Sequence, residues 1–410
     1  MSNTLSIDKK GKFLEQFSSE KKEISGISKL AEIALEGLSF PTTRDEYWKY
    51  TRLTKIQNGS FSIQKFQGTS QVHSINERAL HIECINGFFQ EPVGDIQQGV
   101  TIESLLEVDS SISAFQDEFF TALNTAYFTS GIRVIVEPGV QVEKSIQLNF
   151  LSVGSDLQVQ PRIEVVVGQG ASCNMIYNWH NNGQSGNFYN VNSEMQLAKN
   201  GDLNVHQLQT GGDENYLINS TYVAQQRDSR FAIHTICLEG KILRNNLNIK
   251  VEGENCDTKL NGVYLGQGSQ HMDNHTYVDH IAPNCQSSEN YKGVLNDKST
   301  GVFNGKVMVQ PNAQKISATQ SNQNVLLSDD ATINSKPELE IYADDVVCAH
   351  GSTTGQLDDE AVFYLRSRGV SEKSAKKMLI KAFIFDVLED IKLESFKDHV
   401  EGIVEDKFEV

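Results

Sequence analysis

The sequence predicts a mainly β protein with helical segments at both ends, and three observations lead to this prediction. Short β-branched runs such as IRVIVE, SIQLNFL and RIEVVV recur from Ile132 onward and are separated by turn residues. Gly139, Gly170 and Gly201 are equally spaced before the interval loses its regularity. Residues 132–345 are also rich in Asn, Gln, Ser and Thr. Because stacked coils tolerate ladders of such side chains, a parallel β-helix core is favoured, and a β-sandwich stays the alternative.

The first 60 residues have a helical pattern. Gly37 follows the first apolar run as a helix stop. The apolar residues of this run near helical spacing are Ile24, Ile27, Leu30, Ile33 and Leu35.

The next segment, FPTTRDEYWKYTRL, offers a capping box at Thr43 and Glu46 and aromatic anchors at Trp48 and Tyr50. Further along, FQDEFFTALNTAYFTSG predicts a short helix within 115–131. Both segments precede the strand-rich region, which predicts a mixed or helical N-terminal domain over residues 1–130.

The chain returns to helical patterns after Gly355. LDDEAVFYLRSRG predicts a short helix that stops at Gly369, and Ser371 is a suitable N-cap for the long helix that follows. The apolar face of this helix consists of Ala375, Met378, Leu379, Ala382, Phe383, Leu388 and Ile391. The sequence therefore divides into an N-terminal domain, a β core over 131–352 and a C-terminal helical domain over 353–410.

Composition excludes several functional classes. The formal net charge of −17 argues against a general nucleic-acid binder and against docking on an anionic membrane. No apolar run approaches the roughly 18 residues of a spanning helix, and MSNTLSIDKKGKF does not have the pattern of a signal peptide. The six cysteines are scattered, with no C-x-x-C, which predicts a reducing, cytoplasmic compartment.

Two polar constellations outside the C-terminal region carry little catalytic signal. HMDNHTYVDHIAPNC contains His271, His275, His280 and Cys285, but His275 and His280 would face opposite sides of a strand, which disfavours a metal site. Neighbouring carboxylates occur at Asp329–Asp330, Asp344–Asp345 and Asp358–Asp359. Adjacent strand residues face opposite ways, so these pairs do not indicate a glycan-cleaving acid and base.

Cys348 and His350 form the most informative pair. At i and i+2 on an extended segment, their side chains would face the same side. A thiolate and an imidazole so placed can bind a soft or borderline metal or a persulfide sulfur. Two ligands make only half a site, however, and a buried cysteine beside a hydrogen-bonded histidine stays the structural alternative.

The segment LEIYADDVVCAHGSTTGQLDDEAVFYLRSRGVSEKSAKKMLIKAF closely resembles the tail of the SufB/SufD family of iron–sulfur cluster assembly scaffolds. The preceding YKGVLNDKSTGVFNGKVMVQPNAQKISATQSNQNVLL resembles the core of the same family, and the resemblance is continuous over roughly 270–390. CAHGSTTGQLDDEAVFYLRSRG and PTTRDEYWKYT resemble the SufD branch more than the SufB branch.

This resemblance implies a right-handed parallel β-helix flanked by N- and C-terminal helical domains. It also implies a non-catalytic scaffold that pairs with SufB through the β-helix end and docks the SufC ATPase through the C-terminal helices. The cluster-assembly residues at the SufB interface would be His350 first, as a metal ligand shared with the partner chain, and Cys348 second. The candidate SufC-binding residues are Phe363, Tyr364, Arg366, Arg368, Met378 and Phe383.

The implied cofactor is a nascent iron–sulfur cluster that this chain shares transiently with SufB. No intrinsic cofactor is implied, and flavin use stays open. Three alternatives remain at this point: a SufB-like scaffold, a homodimeric scaffold and a β-helix carbohydrate-active enzyme. An unpaired β-helix end invites pairing with a like chain, so a homodimer of the isolated chain is also expected.

Overall fold

The computed structural model describes residues 2–18, 26–68, 73–106, 118–180 and 183–407. It confirms a mainly β protein with a parallel β-helix at its centre and helices towards both ends. The alternative of a β-sandwich is wrong, because the strands of successive coils pair in parallel. Among the described residues, no helix is both long and apolar enough to cross a membrane.

Strands account for most of the described chain between Leu80 and Gly355. They are β1 Leu80–Ile85, β2 Phe88–Phe89, β3 Val100–Ser104, β4 Ser130–Val136, β5 Ile146–Leu151, β6 Gln158–Val159, β7 Pro161–Val167, β8 Ser172–His180, β9 Phe188–Leu197, β10 Asp202–Thr210, β11 Tyr216–Gln225, β12 Arg230–Glu239, β13 Ile242–Val251, β14 Asp257–Gly266, β15 His271–His280, β16 Gln286–Leu295, β17 Thr300–Val309, β18 Ile316–Leu326, β19 Thr332–Ile341 and β20 Val346–Gly355.

The strands form two long sheets. The first sheet has the order β2-β1-β5-β8-β10-β12-β14-β16-β18-β20, and the second has the order β19-β17-β15-β13-β11-β9-β7-β4-β3, with β6 beside β9. From β8 onward each coil therefore contributes one strand to each sheet. The lumen between the sheets holds a continuous core that includes Phe150, Trp179, Tyr264 and Phe303. Burial of this apolar surface is the main stabilising term for the stack of coils.

One column of turns explains the glycine spacing in the sequence. Its members have φ between 57° and 78°, and their backbone N–H groups bond to the carbonyl of the next coil; they are Gly139, Gly170, Asn200, Asp228, Asn255, Asn284 and Lys315. Of the three equally spaced glycines, Gly139 and Gly170 take this position. In the next coil Asn200 takes it, and Gly201 follows one residue later. Asn and Asp tolerate this conformation, which hides the repeat from a search for glycine.

The N-terminal helices cover part of the outer face of the second sheet. They are α1 Ser2–Ser18, α2 Gly26–Gly37, α3 Thr54–Gln57 and α4 Phe119–Tyr127, with a 3-10 turn at Glu46–Trp48. Apolar side chains of α1, α2 and α4 pack with Phe188, Ile218 and Ile242 of the sheet. The helix within 115–131 is confirmed by α4, although residues 115–117 lie outside the described residues.

Two details of the N-terminal prediction are wrong. In α2, Ala31 and Leu35 are buried, whereas Leu30 and Ile33 point to solvent, so the buried face is rotated from the predicted one. Ile24 lies outside the described residues. No capping box forms at Thr43, because the backbone N–H and the hydroxyl of Thr42 donate to the Asp45 carboxylate instead.

The C-terminal helices α5 Asp359–Ser367, α6 Glu372–Glu389 and α7 Glu394–Lys407 follow the last strand. Helices α6 and α7 cover the outer face of the first sheet, where Ile384, Val387 and Phe396 pack with Leu208, Ile236 and other strand residues. The carboxylate of Asp358 caps α5, and Ser371 caps α6 as predicted. The two ends of the chain therefore cover opposite sheets. The domain boundaries at 130/131 and 352/353 stay predictions.

Candidate functional site

The last coil of the β-helix is open on its outer side. β19 and β20 stand at the ends of their sheets, and within the described ranges no further strand pairs with them. Val347 is 75% exposed and Tyr342 is 60% exposed, although both lie in or beside these strands. A strand edge of this kind presents unpaired backbone groups and is a template for pairing with another chain.

Cys348 and His350 both lie on β20, the final strand of the first sheet. Cys348 is in register with Ala318 of β18, and His350 is in register with Gln320. Ala318 and Gln320 are buried in the lumen, and in-register residues of parallel strands share a face. Both side chains therefore lie on the lumen side of the open coil, on one face as the spacing predicts. Their roles in cluster assembly stay predictions.

The two side chains differ in environment. Cys348 is half-buried and packs against the lumen core, whereas His350 is exposed. Burial raises the pKa of the Cys348 thiol, and a backbone hydrogen bond involving Ala318 opposes this only in part. Cys348 is therefore a thiol at neutral pH. A metal ion or a cationic group of another chain would be needed to favour its thiolate.

The other five cysteines are buried. The structure brings two of them together, which the scattered sequence positions did not reveal: the backbone N–H of Cys256 lies 3.4 Å from Sγ of Cys285. Both thiols reach the Gly253 carbonyl, at 3.2 Å and 3.3 Å. This pair ties adjacent turns of the β-helix together and is closed to solvent.

The histidine-rich segment forms a structural network. Arg244 Nη1 lies 2.7 Å from Asp273 Oδ2, and His275 Nε2 lies 3.0 Å from Asp273 Oδ1. Thr51 bonds both His271 and Asp273. The Arg244 guanidinium and its neighbours hold the pKa of Asp273 below its usual range against the effect of burial.

This network fixes the N-terminal segment to the second sheet. Trp48 stacks on Arg244 at 3.8 Å, and Lys336 of β19 pairs with Glu46 at 2.8 Å. His280 instead faces the lumen and bonds Ser287 at 2.9 Å, on the other side of the strand from His275. Among the described residues, no group of three or more potential ligands could hold a metal ion.

The paired carboxylates are exposed and serve local structure. Asp329 and Asp330 occupy a turn, the Asp345 carbonyl accepts from Lys315 N–H, and Asp358 caps α5. None of these positions aims two carboxylates at a common point on the β-helix surface.

The candidate SufC-binding residues fall into two groups. Phe363 and Tyr364 on α5 are 71% and 58% exposed, and Met378 on α6 is 52% exposed. Arg368 lies over the Tyr364 ring, with 5.2 Å from Cζ to the ring centroid, and Arg366 pairs with Glu372 at 3.3 Å. Phe363, Tyr364, Arg366 and Arg368 lie on α5 and its C-terminal end, whereas Met378 lies on α6.

Phe383 differs from this group because it packs against the protein itself. Lys292 of β16 lies 4.9 Å from the centroid of the Phe383 ring and donates to the Phe383 carbonyl at 2.7 Å. The same ammonium group pairs with Asp386 at 2.6 Å. Lys292 thus fixes α6 to the first sheet, a contact that the sequence pattern did not indicate.

Comparison with known proteins agrees with this architecture. Residues 150–383 match the family model described as the SufBD core domain of the SUF system for FeS cluster assembly. A Synechocystis protein named as an iron–sulfur cluster assembly SufBD family protein is 29% identical over 90% of this chain and 88% of its own length. Escherichia coli SufD is 27% identical, over 88% and 87% of the two chains. The chloroplastic protein ABCI7 of Arabidopsis thaliana is 27% identical, over 89% and 83%.

Proposed function

The chain belongs to the SufBD family of the SUF iron–sulfur cluster assembly system, and we propose that it is the SufD-type scaffold subunit of a SufBCD complex. The observation that carries this proposal is the open last coil, where β20 presents Cys348 and His350 on its lumen side beside an unpaired edge. A scaffold needs such an incomplete site, because a second chain must complete it.

Pairing with SufB would use the edges of β19 and β20. In the part of the chain that the structure describes, no further strand pairs with either of them on its outer side, and Tyr342 and Val347 supply exposed apolar surface at the same end. An added strand on each sheet would satisfy the backbone groups and cover these side chains. The β-helix would then continue from one chain into the next.

The nascent iron–sulfur cluster would be the substrate at this interface between the chain and SufB. An imidazole and a thiol are suitable ligands for iron and sulfur, and this chain supplies one of each on one face. Two ligands leave the cluster incompletely held, so SufB would provide the remainder. The chain would then have no catalytic activity of its own. The assembled cluster would be released when the interface with SufB opens.

Docking of SufC would use α5 and the exposed side of α6. Phe363, Tyr364 and Met378 offer apolar area, and Arg366 and Arg368 add two positive charges to a chain of net charge −17. Aromatic residues and arginine are the types most often found at the centre of protein interfaces. Phe383 would support this surface from behind.

Co-expression tests the proposal directly. The tagged chain is expressed with its SufB and SufC, and the mass of the purified assembly is measured. One copy of this chain with one SufB and two SufC is the expected result. A homodimer that ignores both partners would refute the proposal and would favour a homodimeric scaffold, while assembly with SufC alone would favour a SufB-like scaffold.

A mutation tests the site within that complex. His350→Ala is expected to leave folding and complex formation intact and to lower the activity of cluster-dependent enzymes in cells about tenfold or more. Ser352→Ala is the matched control, because Ser352 lies two residues further along the same face of β20. Equal enzyme activities in the two variants would remove the role of His350.

The remaining alternative is a carbohydrate-active enzyme. Its requirement for two opposed carboxylates is not met by the exposed aspartate pairs, which serve turns and a helix cap. A polysaccharide-cleavage assay on the purified chain is expected to be negative.

A further inference from the structure

A column of polar side chains runs through the lumen and ends at His350. Glu289 of β16 is in register with Gln320 of β18, and Gln320 is in register with His350 of β20. Neighbouring strands lie about 4.8 Å apart, so in-register side chains on one face are direct neighbours. Glu289 and Gln320 are 4% and 3% exposed, whereas His350, at the open end of the same column, is exposed.

The two inner members are already in contact. Gln320 Nε2 donates to Glu289 Oε2 at 2.5 Å. Gly305 of the facing strand β17 makes room for this arrangement, because a Cβ there would lie 2.2 Å from Gln320 Nε2. The amide of Gln320 is therefore held from below by a carboxyl group and from the side by packing.

The remaining polar atom of the amide has no partner. Gln320 Oε1 is buried and makes no hydrogen bond within the described residues. A buried acceptor without a hydrogen bond destabilises the fold, so a donor is expected to reach it. Since Nε2 is engaged with the inner coil, Oε1 is the group left for the outer coil, where the in-register residue is His350.

We propose that Gln320, oriented by Glu289, is a positioning residue for His350. Its carbonyl oxygen accepts an N–H of the imidazole, which fixes the ring and leaves the other ring nitrogen bare and directed away from the inner coils, towards the open end of the stack. Metal-binding histidines commonly donate their second N–H to a carbonyl or carboxylate in this way. The value of the bare nitrogen for cluster assembly rests on the proposed function, whereas the orientation of the ring does not.

The choice of residue types supports this role. Gln320 can donate inward and accept from outside at the same time, which a carboxylate or a hydrocarbon in its place cannot do. When Glu289 is ionised, as it is above pH 8, its carboxylate accepts only and so determines the direction of the amide. A glutamine at position 289 would bond either end of the Gln320 amide and would remove this constraint.

Nitrogen NMR of the full chain tests the proposal without the partners. The chain is labelled with ¹⁵N-histidine, the signals of His350 are assigned with the His350→Asn variant, and the ratio of its two neutral tautomers is measured above pH 8. One tautomer is expected to dominate. Loss of a hydrogen bond worth about 1 kcal/mol in Gln320→Met is expected to change the ratio about fivefold.

Glu289→Gln provides a second variant of nearly unchanged shape and is expected to change the ratio in the same direction. Thr319→Val is the matched control, because Thr319 neighbours Gln320 but points outward and is exposed. If Gln320→Met does not fold, Glu289→Gln decides the question alone. An unchanged tautomer ratio in the folded variants would overturn the proposal even if His350→Ala abolishes cluster assembly.

Discussion

The inner coils of the β-helix and its last coil have the same backbone pairing, but their lumen side chains differ in burial. Glu289 and Gln320 lie between neighbours on both sides and are buried, whereas His350 has the next coil on one side only. Exposure in this column therefore follows from position in the stack, since all three residues are polar.

This difference teaches where a stacked fold can place a reactive group. An inner coil satisfies its lumen side chains through the coils above and below it, as Tyr264, Asn322 and Asn324 do through mutual hydrogen bonds. The last coil retains the same inward direction but leaves one side of each residue unused. A partner chain that continues the stack would meet these side chains first.

The largest expected effect is on the free energy of unfolding. It distinguishes apolar residues of the C-terminal helices that are buried against a sheet from those that are exposed. Phe396 of α7 is fully buried on the first sheet, and its ring centroid lies 5.0 Å from that of His206. Phe396→Ala is expected to lower the free energy of unfolding by about 3–5 kcal/mol through cavity formation, as measured by chemical denaturation.

Phe363→Ala is the matched control on α5. It is expected to change the free energy of unfolding by less than about 0.5 kcal/mol, because the side chain is exposed, and yet to remove SufC from the co-purified complex. Equal destabilisation by the two substitutions would contradict the distinction between covered and uncovered helix faces.

Two glycines compare the crowded lumen of an inner coil with the outward face of the last coil, because Gly293 faces the lumen and Gly351, one residue after His350, faces outward. A Cβ at Gly293 of β16 would lie 2.2 Å from Tyr264 Cε2 and 2.5 Å from Asn324 Oδ1, whereas a Cβ at Gly351 of β20 would meet nothing within 4 Å. Gly293→Ala is expected to destabilise the chain by about 1–3 kcal/mol through overpacking. Gly351→Ala is expected to be neutral, because its Cβ would project outward from the last coil and meet no atom within 4 Å, and thermal unfolding of both variants measures the difference.

A further expected effect is a pH dependence of stability that comes from the buried carboxyl group of Glu289 in the column. Burial raises the pKa of Glu289 from 4.5 to about 7. The folded state therefore binds the proton more tightly than the unfolded state, and this contribution to stability is present below pH 4.5 and is lost as the pH rises to 7.

Glu289→Gln removes this pH-dependent contribution to stability. The decrease in the free energy of unfolding between pH 4.5 and pH 8 is expected to be about 3 kcal/mol smaller in the variant than in the natural chain. Glu338→Gln, on the outer side of β19, is the control and is expected to leave the decrease unchanged. A decrease that is equal in all three proteins would show that the inner column does not carry the buried proton.

Much of the fold was predictable because it depends on local pattern. Short β-branched runs with turn residues between them predict strands, and the apolar spacing near Phe119 predicts α4. The repeat was followed correctly at Gly139 and Gly170 and was lost afterwards, since Asn200 and Asp228 adopt the same left-handed conformation. The buried face of α2 was missed because several apolar residues compete for it and only the packing partner decides.

The sequence by itself determined the mainly β class, the helical ends and the common face of Cys348 and His350, since each follows from residues close together in the chain. Only the tertiary structure decided that Glu289 and Gln320 stand behind His350. Coil length varies, because Tyr216 and its register partner Ile242 are closer together in the sequence than Thr300 and its register partner Thr332. The register between coils is therefore set by turns and lumen packing along the whole stack, and no local pattern can specify it.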